Sequence, residues 1–446
     1  MVTPQVTNED APPATTPPRE ARLHRGVVLL LSVATGLTVA NMYYAQPLLD
    51  TIGHQLHLSV GTTGLVVTVT QLGYAAGLVF LLPLGDLLER RRLVVIMAVG
   101  AAIALALMAH STTAAALLAC ALAVGLLSVV AQILVPLAAT LAGPNERGSV
   151  VGTVMSGLLL GILLARTVSG YLAQLGGWTT AYWVAAALML ALAVALRLGL
   201  PTNRQHTNLS YTGLLRSTVA LLRDEPVLRL RSVYGALGFA AFSVLWTSIT
   251  FLLTGPPYHY STGTVGLFGL VGAAGAAIAF AAGRIADRGG SRWTTAATVL
   301  LLLVSWLPLV FGVGSLAALL VGVVLLDLAV QGLHITNQSE IYRLNPEARS
   351  RLNSAYMTLY FVGGALGSAL STIAYADYGW LGACALGAII GAAAVVIWLI
   401  ALIRPNPHSA AAETGSIATL AEAAALDQQA ELLDTGAPQP CPQGRT

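Results

Sequence analysis

"LLPLGDLLERRRLVV", residues 81–95, places five charged side chains within seven positions, whereas the chain on both sides is almost purely apolar. Segments of this kind separate twelve apolar runs, near residues 26-49, 61-83, 93-110, 112-142, 149-173, 179-199, 228-253, 263-282, 293-312, 314-339, 352-376 and 379-403. About 20 apolar residues in a helix are long enough to cross the hydrocarbon core of a bilayer. The sequence therefore predicts an all-α integral membrane protein with twelve transmembrane helices.

The composition supports a lipid environment and argues against several classes of function. Of 446 residues, 56% are hydrophobic and 9% are charged, whereas soluble domains carry about a quarter charged residues. The three cysteines lack metal-ligand or disulfide spacing, and we find neither a nucleophile–base set nor a glycine-rich phosphate loop. We therefore expect no enzyme activity, no cofactor and no ATP-driven transport.

The arginines predict the orientation in the membrane. All 22 basic residues are arginine. If the chain crosses the membrane twelve times, all of them except Arg166 fall at the same side of the membrane. Because cytoplasmic loops retain arginine and lysine, both termini are predicted to be cytoplasmic, in the inner or plasma membrane. The net charge of +3 follows from this topology, so we expect no nucleic-acid partner.

The charged stretch recurs in the second part of the chain. Asp86 and Arg91 return at a constant offset as Asp287 and Arg292, which indicates two repeated halves. Repeated halves of this type place the substrate site at their interface near the middle of the membrane. The predicted organisation is a disordered cytoplasmic N-tail (1-25), a six-helix bundle (26-199), a cytoplasmic linker (200-227), a second six-helix bundle (228-403) and a disordered cytoplasmic C-tail (404-446).

These features resemble the major facilitator superfamily, whose loop signature reads close to G-x-x-x-D-R-x-G-R-R. The second copy matches it with Gly283, Asp287, Arg288, Gly290 and Arg292. The resemblance covers nearly everything except the two tails. It implies two pseudo-symmetric six-helix bundles, alternating access and a monomeric protein.

The first copy of the signature retains Asp86, Arg90 and Arg91 but lacks both glycines. The resemblance implies that Asp86 faces the start of the eleventh helix, where free amide groups carry partial positive charge. A conformational latch is thus predicted, formed by Asp86, Arg90, Arg91, Asp287, Arg288 and Arg292. The alternative is that these charges only set the topology.

A second family motif, typical of antiporters, lies on the fifth helix. Its glycine spacing is kept at Gly152, Gly161 and Gly170, but Ala165-Arg166 replaces its Gly-Pro pair. Small residues at such spacings let helices approach closely. Arg166 is the one basic residue predicted inside the membrane, where it would bind an anionic group, pair with a carboxylate or serve as a strut between helices.

The tenth helix carries the one carboxylate predicted near the middle of the membrane. Asp327, Gln331, His334 and Gln338 share one face of this helix. Because burial disfavours the charged form of a carboxylate, Asp327 is predicted to take up and release the coupling proton, with His334 as a relay. The alternative is a hydrogen-bonded structural aspartate.

The predicted substrate site combines amide, aromatic and basic side chains, which suit an amphipathic solute. Its residues are Asn41, Tyr44, Gln71, Arg166, Gln331 and Tyr356. The sequence thus predicts a transporter of a small organic solute, with proton-coupled efflux of the drug or sugar antiporter type as the preferred function. Two alternatives remain open, a proton-coupled uptake symporter and a non-transporting membrane sensor.

Overall fold

Helices account for nearly all of the described chain, and the described residues contain no β-strand. The computed structural model describes residues 24–143, 146–202, 210–286, 291–345 and 348–403, except the side chains of residues 273 and 276–286. The helices are α1 (Arg25–Ala40), α2 (Leu49–Leu56), α3 (Val60–Phe80), α4 (Leu84–Leu87), α5 (Arg90–Ala109), α6 (Ala114–Leu127), α7 (Val130–Leu141), α8 (Arg147–Gly176), α9 (Trp178–Gly199), α10 (Tyr211–Asp224), α11 (Pro226–Thr254), α12 (Thr262–Ala286), α13 (Ser291–Val304), α14 (Trp306–Val310), α15 (Leu316–Leu344) and α16 (Arg349–Ile403).

The described helices account for the twelve predicted spans. Within the described residues, nine helical stretches are long and apolar enough to cross a membrane, three of which join consecutive helices (α3–α4, α6–α7 and α13–α14), and α1 and part of α12 are shorter apolar helices. The longest, α16, breaks at Gly379, which has a φ of 61° and therefore divides α16 into two spans. The prediction of an all-α, membrane-spanning fold is confirmed.

The first predicted helix is interrupted in its second half. Helix α1 ends at Ala40, and a turn leads into a short 3-10 helix over Gln46–Leu48 before α2 begins. Pro47 explains the interruption, because a proline inside an α-helix lacks an N–H group and clashes with the carbonyl four residues earlier. The backbone carbonyl of Gln46 instead accepts a hydrogen bond of 2.8 Å from the hydroxyl of Thr250 on α11.

One face of α5 illustrates how the bundle meets lipid. Ile96, Ile103 and Leu107 are more than half exposed, whereas Met97 and Ala101 are buried. The exposed residues follow the helical repeat, so they form a stripe along one side of the helix. A stripe of large apolar side chains is what a bilayer core accommodates.

Helix α8 packs closely against helices on two sides. Gly157 and Gly161 lie against the backbone of α1, at Ser32 and Gly36, where a Cβ atom would clash. Further along α8, Gly170 lies against the backbone carbonyl of Thr262 at the start of α12. Because α8 belongs to the first predicted half and α12 to the second, α8 connects the two halves at backbone distance.

Several predictions concern residues outside the described ranges. These are most of the N-tail (1–23), the whole C-tail (404–446), part of the linker (203–209), and the latch residues Asp287 and Arg288. The rest of the linker contains α10, whose residue Tyr211 donates a hydrogen bond of 3.0 Å to the carbonyl of Phe80.

Candidate functional site

Two side chains of opposite charge are buried in the membrane-spanning part of the protein. Arg166 on α8 and Asp327 on α15 are each 4% exposed. Each lies at least ten residues from either end of its helix, and the two helices have 30 and 29 residues, about 45 Å at 1.5 Å per residue. Charged groups at such depth are costly unless they are paired or serve a function.

Arg166 is held by one hydrogen bond and three aromatic rings. Its Nε donates to Oε1 of Gln46 at 2.6 Å, in the interruption after α1. The guanidinium carbon also lies over the rings of Trp246, Tyr43 and Phe242, at 4.0, 4.8 and 5.4 Å from the ring centroids. Contacts of this kind stabilise a desolvated cation without neutralising its charge.

Asp327 contacts the same tryptophan that packs against Arg166, Trp246. Nε1 of Trp246 donates a hydrogen bond of 3.2 Å to Oδ1 of Asp327. The ion pairs formed by the described residues do not include Arg166 with Asp327. The indole of Trp246 therefore contacts both charged groups, with its ring face toward Arg166 and its N–H toward Asp327.

Helix α12 makes room for both charged groups with glycine. A Cβ atom on Gly272 would clash with Oδ2 of Asp327 and lie 2.7 Å from Cζ2 of Trp246. A Cβ on Gly275 would lie 3.2 Å from the Cβ of Asp327, and one on Gly269 would lie 3.1 Å from that of Arg166. The α12 backbone thus lies directly against the charged centre.

Several buried polar atoms of Arg166, Gln46 and the predicted substrate residues have no hydrogen-bond partner. Among them are two donors, Nη2 of Arg166 and Nε2 of Gln46, and two amide oxygens, Oδ1 of Asn41 and Oε1 of Gln71. An unsatisfied buried polar group costs about 1–3 kcal/mol. The two free donors belong to residues in direct contact, Arg166 and Gln46, and this pair calls for a physical explanation.

The other predicted substrate residues occupy different surroundings. Nδ2 of Asn41 donates to Ser128 at 3.2 Å, and Nε2 of Gln71 donates to Ser243 at 3.1 Å. Tyr44 is buried in the turn after α1, and Gln331 is half-buried on α15. The hydrogen bond from Gln71 links α3 to α11 and therefore joins the two predicted halves.

His334 and Tyr356 form a second cluster, separate from Asp327. Nδ1 of His334 lies 3.0 Å from the hydroxyl of Tyr356, and the histidine ring also packs against Tyr360. His334 is seven residues from Asp327, about 10 Å along the helix, so the two groups are too far apart for direct proton transfer. The proposed relay role of His334 stays a prediction.

A neighbouring set of hydrogen bonds connects the two predicted halves near this cluster. Nδ2 of Asn353 donates to Oε1 of Gln132 at 3.1 Å, while Oδ1 of Asn353 accepts from Gln338 and Tyr342. The hydroxyl of Ser354 donates to the carbonyl of Leu78 at 3.0 Å. The start of α16 is thereby attached to α3 and α7.

The described latch residues pair locally. Asp86 accepts a hydrogen bond of 3.1 Å from Nη2 of Arg90, and Nε of Arg90 donates to the carbonyl of Gly85. Arg91 lies 3.7 Å from Glu89 and donates to the carbonyl of Leu200. Arg292 is exposed. The contact predicted between Asp86 and the eleventh helix stays a prediction.

Two of the three motif glycines of α8 lie at helix contacts, and the third does not. Gly161 and Gly170 lie at close helix contacts, whereas no atom lies within 4 Å of a Cβ placed on Gly152. Gly157 was not in the predicted set, although its spacing of four from Gly161 is a known signal for close helix approach. Gln46, Tyr43 and Trp246 also lay outside the predicted substrate site, although that site included their sequence neighbours Asn41 and Tyr44.

A helical, membrane-spanning chain with buried opposite charges between glycine-packed helices has the features of a secondary transporter. The family model described as "Major Facilitator Superfamily" matches residues 31–339 and 258–429. The chain is 54% identical over 376 residues to "Uncharacterized transporter YgaY" of Escherichia coli O157:H7, covering 84% of this chain and 95% of that one. It is 36% identical to "Probable transporter SCO4007" of Streptomyces coelicolor, covering 84% and 87%.

Solved structures agree with this fold. The nucleoside transporter NupG superposes with a TM-score of 0.64 at 18% identity, covering 85% of this chain and all of that one. A bacterial homologue of the lysosomal transporter Spinster, in an inward-facing conformation, gives a TM-score of 0.64 at 16% identity, covering 84% and 94%. The chain belongs to the major facilitator superfamily and is a multi-pass membrane transporter.

Proposed function

We propose that this transporter moves a small organic solute by alternating access, coupled to protons that bind and leave Asp327. The observation that carries the proposal is the position of this carboxylate, buried in the membrane with a hydrogen bond from Trp246 and with Arg166 over the face of the same indole. We further propose that the protein works as a monomer in the inner or plasma membrane, with both termini cytoplasmic.

The surroundings of Asp327 support reversible proton binding. Burial disfavours an ionised carboxylate in general, whereas a hydrogen bond from an indole N–H and a nearby positive charge favour it. We therefore propose that the surroundings of Asp327 change during the transport cycle and alter its protonation. Proton coupling requires such a change between the two faces of the membrane.

Hydrogen bonds between the two predicted halves support an occluded state around the charged centre. At one end of the helices Asn353 bonds to Gln132, and at the other Thr51 lies 3.1 Å from Thr262. Neutral hydrogen bonds each contribute about 0.5–1.5 kcal/mol, so either set can break without a large cost. We propose that the halves 26-199 and 228-403 rock about this centre.

The charge of the solute determines the mode of coupling. A neutral or cationic solute that needs ionised Asp327 would exchange for the proton, which corresponds to the predicted efflux antiport. The close glycine packing of α8 at Gly161 and Gly170 supports this first candidate. An anionic solute would be bound by Arg166 together with the proton. The direct contacts of the guanidinium with a neutral amide and aromatic rings favour this second candidate, a symporter.

Proton flux in proteoliposomes tests the proposal. A pH-sensitive dye inside the vesicles reports while tetraphenylphosphonium, benzamide, glucose or benzoate is added to wild-type protein, to Asp327→Asn and to the control Asp377→Asn, whose carboxylate is exposed. We expect solute-dependent proton movement in the wild type and the control and none in Asp327→Asn. Its direction relative to the solute identifies antiport or symport. Persistent coupling in Asp327→Asn would contradict the assignment of the proton to Asp327.

A further inference from the structure

We infer that Arg166 and Gln46 form a binding site for the carboxylate group of an organic anion. The apolar body of this solute would lie against the rings that surround the guanidinium, those of Trp246, Tyr43 and Phe242. The inference rests on the proposed function, because it names the class of solute carried by the same site.

The first argument is a pair of unpartnered donors. Because Nε of Arg166 can only donate, the atom of Gln46 that it contacts is the oxygen, and the amide nitrogen must be the free atom. Nε2 of Gln46 and Nη2 of Arg166 are both buried without a hydrogen-bond partner. Two such donors joined through one hydrogen bond match the two oxygens of a carboxylate.

The second argument is the apolar surroundings of Arg166. Three aromatic rings approach the guanidinium within 5.4 Å of the ring centroids, and they leave its charge in place while removing water. An anion that enters this space gains a charge-assisted hydrogen bond at low dielectric, where such bonds are strong. The same rings provide a flat apolar surface for the remainder of the solute.

The third argument concerns the balance of charge with Asp327. The charged and titratable groups near Asp327 are Arg166 from α8, Tyr43 after α1 and Tyr360 from α16, and Trp246 from α11 donates to it. Among the described side chains of α12, those that lie against Asp327 are Gly272 and Gly275. A carboxylate bound while Asp327 is ionised would place two negative charges beside one positive charge. A carboxylate bound while Asp327 is protonated leaves the centre neutral. Anion and proton therefore bind together, and an anionic solute is carried by symport.

Equilibrium binding to the full-length protein in nanodiscs tests the site. Benzoate, cyclohexanecarboxylate and indole-3-acetate are each compared with their own amide, first by the increase in melting temperature and then by titration of the best radiolabelled carboxylate. We expect at least one carboxylate to stabilise the protein more than its amide. If no carboxylate exceeds its amide, the inference is wrong.

Two substitutions identify the contacting atoms. Arg166→Gln is expected to weaken carboxylate binding by about tenfold or more, because it removes a charge-assisted hydrogen bond, whereas the exposed Arg197→Gln leaves binding unchanged. Gln46→Glu places a carboxylate of the protein itself beside Arg166 and is expected to abolish binding of the added one. Because this variant satisfies the arginine, the fold is retained. Undiminished binding in Gln46→Glu overturns the inference even if Arg166→Gln fails to fold.

Asp327→Asn separates this inference from the proposed function. We expect this variant to bind the carboxylate with an affinity that no longer falls as the pH rises, while the wild type retains that dependence. If Asp327→Asn loses proton coupling and the protein shows no preference for a carboxylate over its amide, the solute class is wrong and the proton site at Asp327 stands. If the protein binds the carboxylate and Asp327→Asn still couples protons, the solute class stands and the proton site is wrong.

Discussion

Two arginines illustrate different uses of a charge within the same bundle. Arg231 on α11 has its guanidinium among polar side chains, with Thr295 at 2.7 Å, Ser291 at 3.4 Å, Asn337 at 3.5 Å and Glu340 at 3.7 Å. Arg166 has one hydrogen bond to a neutral amide and three aromatic rings. Among the described residues, the first arginine forms a direct ion pair with a carboxylate, and the second does not.

This difference separates structural from functional roles. A charge with an ion-pair partner and several hydrogen bonds joins helices α11, α13 and α15, and its removal would leave those partners unsatisfied. A charge held mainly by aromatic faces contributes less to the fold and remains available to a ligand. The following predictions test this contrast, and they begin with the largest expected effect.

Replacing Arg166 should affect transport far more than stability. We expect Arg166→Gln to lower the initial rate of carboxylate uptake by about 10- to 100-fold, since one charge-assisted hydrogen bond to the solute is lost at about 1.5–3 kcal/mol. The melting temperature in detergent should change less than for Arg231→Gln. Uptake by proteoliposomes and thermal unfolding measure the two quantities. Near-normal uptake would show that Arg166 is only a strut.

Replacing Arg231 should give the opposite result. Arg231→Gln is expected to lower the free energy of unfolding by about 2 kcal/mol, because Glu340 and the hydroxyl groups lose their partner. The protein that remains folded should transport at close to the wild-type rate. Denaturant titration together with uptake normalised to folded protein provides the test, and the exposed Arg197→Gln is the control. A stable but inactive variant would reverse the assignment.

Adding one methyl group beside the charged centre should disturb it without changing any charge. In Gly272→Ala the new Cβ clashes with Oδ2 of Asp327, so the carboxylate or α12 must move. We expect about tenfold slower proton-coupled uptake, equivalent to about 1.4 kcal/mol. Gly314→Ala, where no atom lies within 4 Å of the new Cβ, is the matched control. Equal rates in both variants would show that the approach of α12 is unimportant.

Two glycines on α8 allow a comparison between a packed and an unpacked position of one helix. Gly161→Ala is expected to destabilise the protein by about 1–3 kcal/mol, because its Cβ would clash with the backbone of Gly36. Gly152→Ala should be within about 0.5 kcal/mol of the wild type, since nothing lies near its Cβ and surface substitutions have effects of this size. Unfolding in detergent measures both. Equal losses would mean that the motif acts through sequence context rather than contact.

The fold could be predicted from the sequence because the bilayer imposes a strong constraint on helix length and polarity. Apolar runs gave the twelve spans, and the break at Gly379 falls where two of these runs were separated. The interruption around Pro47 was not predicted as a break. Hydropathy averages over side chains in a long window, and the buried turn over residues 41–45 is short and is preceded by a strongly apolar helix.

The candidate site was only partly predictable. Arg166 and Asp327 stood out as isolated charges in apolar segments, and periodicity placed Asp327 and His334 on one face. Periodicity carries no information on which helix faces which, and the contact between Arg166 and Gln46 joins residues 120 positions apart. Trp246 joins the two charges from a third helix, which only the packed structure reveals.

The position of Trp246 has a spectroscopic consequence. Its indole lies 4.0 Å from the carbon of a guanidinium, and its N–H is bonded to a carboxylate, so local electric fields act on the excited state from two directions. Neutralisation of either charge changes these fields and should shift the emission wavelength of this residue. Seven tryptophans contribute to the total signal, so the difference between wild type and Trp246→Phe isolates it. The protein thus contains an intrinsic fluorophore that reports on occupancy of its charged centre without any added label.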